Sequence, residues 1–65
     1  MKETADPIES LASKDIAERA AGCRDLAVYG SVEHLEKLAA VMGLDRSPGV
    51  RLSAAVAAAD ILSRC

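Results

Sequence analysis

Apolar residues recur along this chain at helical spacing, and polar or turn-forming residues divide them into four segments. The first opens at Asp6-Pro7-Ile8-Glu9, with Asp6 as N-cap, Pro7 at the first helical position and Glu9 placed for a capping box. Ile8, Leu11 and Ala12 then give one apolar edge about two turns long. Met1 to Ala5, ahead of it, is polar and expected to fray. Ser13 is placed to cap a second helix from Lys14 to Tyr29. Ile16, Ala20, Cys23 and Ala27 share its main stripe, with Ala17, Ala21 and Val28 on a second flank. Asp15 suits the first turn and stands four residues before Arg19, the favourable order for an ion pair. Gly30 follows as a residue able to take the left-handed conformation that ends many helices.

Ser31 opens a third helix, Val32 to about Met42, whose stripe is Val32, Leu35, Leu38, Ala39 and Met42. Gly43 is expected to end it as a second left-handed glycine, with Leu44 covering the helix end. Ser47 as N-cap and Pro48 at the first position then launch a fourth helix that runs toward Cys65. Val50, Ala54, Ala57 and Ile61 form one stripe, while Leu52, Val56 and Ala59 lie on roughly the opposite side. A helix apolar on two sides is normally sandwiched between neighbours, so something is expected to cover the second face.

Sixty-five residues make one domain at most, near the lower limit for a self-sufficient core. There is no Phe or Trp, Tyr29 is the only aromatic, and thirteen alanines supply much of the apolar content. Alanines lose almost no side-chain entropy in a helix but bury little surface, so the fold reads as helical and marginal in isolation. The net charge of −2 is mixed in sign along the chain, without the basic run that a nucleic-acid face needs. No apolar signal-peptide core or membrane span is apparent. Two cysteines are too few for a disulfide framework, and a reducing, cytoplasmic setting is the default expectation.

The second and fourth helices match at an offset of thirty-four residues. Ser13 pairs with Ser47, Ile16 with Val50, Ala20-Ala21 with Ala54-Ala55, Cys23 with Ala57 and Ala27 with Ile61. Paired aliphatics precede each copy, Ile8 and Leu11 before the first, Leu35 and Leu38 before the second. A two-helix unit with a period in this range is the signature of an α-solenoid. On Leu35, Leu38, Asp45, Ser47-Pro48, Val50-Arg51 and Ala54-Ala55 the chain resembles the HEAT-repeat family, in the short bacterial form also seen in phycobilisome lyases. The first copy departs from the pattern, with Ala17 where an Arg is expected and a shorter turn. The resemblance implies an all-α stack of about four short helices, one and a half to two helical hairpins, spanning most of the single domain. It also implies that Asp45 and Arg51 form a structural turn pair with no catalytic role.

Nothing in the sequence assembles chemistry. His34 is the sole histidine and has no Ser, Cys or second His beside it, and Cys23, His34 and Cys65 lack metal-ligand spacing. Cys23 fits a small buried hydrophobe, and nothing near Cys65 would activate it. The four glycines are scattered singly and form no phosphate loop. Tyr29 reads first as an inter-helix contact and second as an exposed interaction anchor. No enzyme activity, cofactor or metal is expected.

The expected function is a non-catalytic protein–protein interaction or scaffold module, with Leu52, Val56, Ala59 and Tyr29 as the candidate interaction face. A protein partner, a second copy or further repeats would cover that face, and the runner-up in the same class is a fragment of a larger assembly or lyase-type repeat protein. The rival is a helix-turn-helix DNA-binding regulator over residues 38–55, in which Ala39 precedes a turn at Gly43 by four. Pro48-Gly49 displaces Val50 by one position from that motif, and Arg51 would be the lone basic side chain on the recognition helix. Neither nucleic acid nor membrane is therefore an expected partner.

Overall fold

The computed structural model of the chain describes residues 7–64, so the Asp6 cap, the segment Met1 to Ala5 and Cys65 lie outside the described residues. The protein is all-α, with α1 (Pro7–Ser10), α2 (Ile16–Tyr29), a 3-10 turn (Val32–His34) leading into α3 (Leu35–Leu44), and α4 (Pro48–Arg64).

The first helix is a single turn, shorter than its apolar edge suggested, and Leu11 and Ala12 belong to the turn that follows. Local hydrogen bonds decide where α2 begins. The Asp15 carboxylate accepts from the Ala17 N–H at 2.9 Å, making Asp15, and not Ser13, the N-cap. Ser13 stands outside the helix, its hydroxyl accepting from the Asp15 N–H and donating to the Glu18 carboxylate. The α2 start thus moves two residues beyond the expected Lys14, because a carboxylate accepts more strongly than a hydroxyl.

Neither expected left-handed glycine occurs; no glycine among the described residues has a positive φ. Gly43 lies inside α3, which continues to Leu44 and ends at Asp45, whose N–H donates to the Val41 carbonyl. Gly30 caps α2 in an extended conformation, its N–H donating to the Leu26 carbonyl at 2.7 Å. Its missing side chain matters for space: a Cβ there would lie 2.4 Å from the Leu26 carbonyl oxygen and 2.9 Å from Cδ1 of Ile61.

The hydrophobic core is organised on α4. Val50, Ala54, Ala57 and Ile61 are all buried, as their stripe predicts, and meet Cys23 and Leu26 of α2, Leu38 of α3 and Leu11. Burying an aliphatic side chain of Val or Ile size contributes roughly 1.5–3 kcal/mol. Of the expected α2 stripe, Cys23 is buried and Ala20 and Ala27 pack against the core, Leu26 joins them, and Ile16 is exposed. In α3 the expected members Val32, Ala39 and Met42 are exposed, and Leu35, Leu38 and Val41 face the core. The opening 3-10 turn, tighter than an α turn, shifts the phase of the helix that follows.

Two long-range contacts fix how the helices lie. Arg19 near the start of α2 reaches Asp45 just before α4, and Arg64 at the end of α4 donates to the Ala27 and Gly30 carbonyls at the end of α2. The two long helices therefore run side by side in the same direction, with α3 as the return, and α4 packs on both α2 and α3. The result is a slab, 34 × 28 × 15 Å along its principal axes.

Candidate interaction face and the Arg19–Asp45 latch

Asp45 occupies the turn between α3 and α4, and its two carboxylate oxygens serve three donors. Arg19 Nε donates to Oδ2 at 2.7 Å and Nη2 to Oδ1 at 3.1 Å, a two-point grip that fixes orientation as well as distance. The Ser47 N–H donates to Oδ1 at 2.9 Å, folding the loop into the start of α4. Both side chains are largely buried, with 15 % of Arg19 and 6 % of Asp45 exposed. The Arg19 hydrogen bond foremost, and then the Ser47 N–H, hold the Asp45 carboxyl below the ordinary aspartate range against the opposing effect of burial.

Arg51 does meet Asp45, but at the main chain: its Nη1 donates to the Asp45 carbonyl at 2.7 Å. The expected pairing of Asp45 with Arg51 is thus present through the Asp45 carbonyl, while the carboxylate of Asp45 is turned toward α2 and taken by Arg19. For the same reason Arg19 does not form the local pair with Asp15, whose carboxylate is already the α2 cap. Arg19 also donates through Nη1 to the Ser13 carbonyl at 2.9 Å, so one guanidinium ties the loop before α2 to the loop before α4. Sequence spacing gave no sign of this partnership, since twenty-six residues separate Arg19 from Asp45 and no helical periodicity spans them.

His34 and Cys23 serve structure. His34 Nδ1 accepts from the Ser31 N–H at 2.9 Å, closing the 3-10 turn. Cys23 is fully buried, and burial first, then the Asp45 carboxylate, pushes its thiol above the ordinary cysteine range. Among the described residues no group of three or more His, Cys, Asp or Glu side chains could hold a metal ion.

The far side of α4 is apolar and open. Leu52 is 65 % exposed, Val56 52 % and Leu62 58 %, and Ala59 lies exposed between them on the same side of the helix. Tyr29 is 82 % exposed at the last position of α2, so the inter-helix contact first expected of it does not form. It sits on a different helix from Leu52, Val56 and Ala59. Among the described residues no helix is long and apolar enough to cross a membrane.

No family model, curated protein or solved structure matches the chain.

Proposed function

We propose that this protein is a non-catalytic interaction module of HEAT-like helical-repeat type, which works by packing the outer face of α4 against an apolar helix face of another polypeptide. A second copy of the chain is the occupant to test first. The observation that carries this reading is the balance of apolar side chains. Among the described residues nine large hydrophobics are exposed, Leu52, Val56 and Leu62 included, against eight buried core residues of which two are alanines. A core of that size sits at the margin for an independent domain, and covering the α4 face adds to it. Exposed apolar patches of this kind mark interaction sites.

The repeat reading draws support from the side-by-side, same-direction placement of α2 and α4, the arrangement adopted by corresponding helices of successive repeats. The turn residues that carry the HEAT-like resemblance, Asp45 and Arg51, bond there to hold helices together. The DNA-binding alternative finds less to work with. Gly43 is within α3 rather than in a turn, and the outer face of α4 offers Leu52, Val56 and Ala59 where base reading needs polar and basic side chains.

The test is sedimentation and thermal melting across protein concentration, with a Leu52→Glu/Val56→Glu variant as the comparison. Concentration-dependent mass and Tm, lost in the variant while helicity is retained, are the expected results.

A further inference from the structure

The loops that lead into the two long helices border a groove. Two adjoining hollows of about 410 and 460 Å³ share Lys14, Arg19 and Arg46 in their walls. Apolar side chains complete them, Leu11 in one and Ile16 with Pro48 in the other.

The charges at this edge divide into those engaged within the protein and those facing outward. Asp15 accepts from the Ala17 N–H, Glu18 from the Ser13 hydroxyl, and Asp45 from Arg19 and the Ser47 N–H. Arg19 and Arg51 are likewise bound to Asp45. Lys14 and Arg46 are both exposed, and among the described residues neither has a carboxylate within ion-pair distance. Asp15 and Glu18 keep their charge but do not line the hollows; the one carboxylate in the walls, Asp45, is paired with Arg19, so two outward cations flank the groove although the whole chain carries a net charge of −2.

We propose that this groove binds an acidic, partly apolar peptide segment of a partner protein. Lys14 and Arg46 pair with its carboxylates, and Ile16 and Pro48 seat a neighbouring apolar side chain. Charge complementarity selects the acidic partner. The apolar seat selects a peptide over a nucleic-acid backbone, which two cations would hold poorly at physiological salt. The groove lies at the N-terminal ends of α2 and α4, apart from Leu52 and Val56, so this inference and the proposed self-association stand or fall separately.

The experiment is an amide-resolved NMR titration of the full chain with an acetylated, amidated decapeptide of Glu and Leu. Its Lys and Leu counterpart and sodium phosphate serve as comparison ligands. Shifts should concentrate on residues 13–19 and 45–51, and added salt should weaken binding. A K14E/R46E variant should lose about tenfold or more in affinity while keeping its helical circular dichroism, because among the described residues both side chains are exposed and neither is held in an ion pair. A Leu52→Glu variant should bind as the wild type does. The proposal is overturned by absence of shifts at millimolar peptide, by shifts centred elsewhere, or by equal binding of the basic peptide or of K14E/R46E. Saturation of the same amides by phosphate at lower concentration than by peptide would also overturn it, showing a bare anion site.

Discussion

Arg19 holds the carboxylate of Asp45 through two hydrogen bonds across a sequence separation of twenty-six residues, and so ties the first turn of α2 to the entrance of α4. Arg64 makes the corresponding tie at the other end, to the carbonyls of Ala27 and Gly30. Between these two arginines the helix pair is pinned in register, and the small side chains Ala54 and Ala57 of α4 are buried within the core.

The latch gives stability an acid limb of defined sign. The folded-state pKa of Asp45 is lowered relative to the unfolded chain, so its contribution is fully present above the ordinary aspartate value of about 3.9 and is lost as pH falls through the lower folded value. The wild-type Tm should therefore drop below about pH 4, whereas Asp45→Asn should start from a lower Tm at neutral pH and show a flatter profile in that acid window. Thermal melts followed by circular dichroism from neutral to strongly acidic pH check this. Parallel profiles for the two proteins would show that the latch does not titrate as described.

Two glycines should respond oppositely to the same substitution. At Gly30 a Cβ would run into the Leu26 carbonyl and Ile61 Cδ1, so Gly30→Ala should destabilise by about 1–3 kcal/mol. At Gly43, inside α3 with nothing within 4 Å of the added carbon, Gly43→Ala should stabilise by about 0.5–1 kcal/mol. Urea unfolding of the two variants measures both; a stabilising Gly30→Ala would contradict the close approach at the end of α2, and a destabilising Gly43→Ala the open helical position in α3.

The chain shows where sequence patterns inform and where they stop. The α4 stripe and its exposed counter-face were legible because one uninterrupted helix keeps a single phase over its length. The α2 stripe was legible at Ala20, Cys23 and Ala27 but not at Ile16 or Leu26, and the α3 stripe only at Leu35 and Leu38, because Val32 falls in the opening 3-10 turn and Val41 takes the core position expected of Met42. Gly30 looked like a conformational signal and is a packing one, a distinction that depends on where the Leu26 carbonyl and Ile61 lie. Arg19 carried a plausible local partner in Asp15, and only the folded chain shows that Asp15 is taken by the α2 cap. The groove flanked by Lys14 and Arg46 joins two loops far apart in sequence, so no local pattern announced it.

Cys23 should be chemically silent in the folded protein. It is fully buried and its thiol is held neutral by burial and by the Asp45 carboxylate, so a thiol reagent should react only as the chain opens. In a Cys65→Ser background, the labelling rate at neutral pH should be slow and should rise with urea in step with unfolding. Labelling at the rate of a free thiol without denaturant would place Cys23 outside the core.

The most direct test of the proposed function is sedimentation equilibrium from micromolar to millimolar protein, on the wild type and on Leu52→Glu/Val56→Glu. The wild type should associate as concentration rises, and the variant should stay a helical monomer. A wild type that remains a monomer over the whole range, with a Tm independent of concentration, would contradict self-association through the outer face of α4.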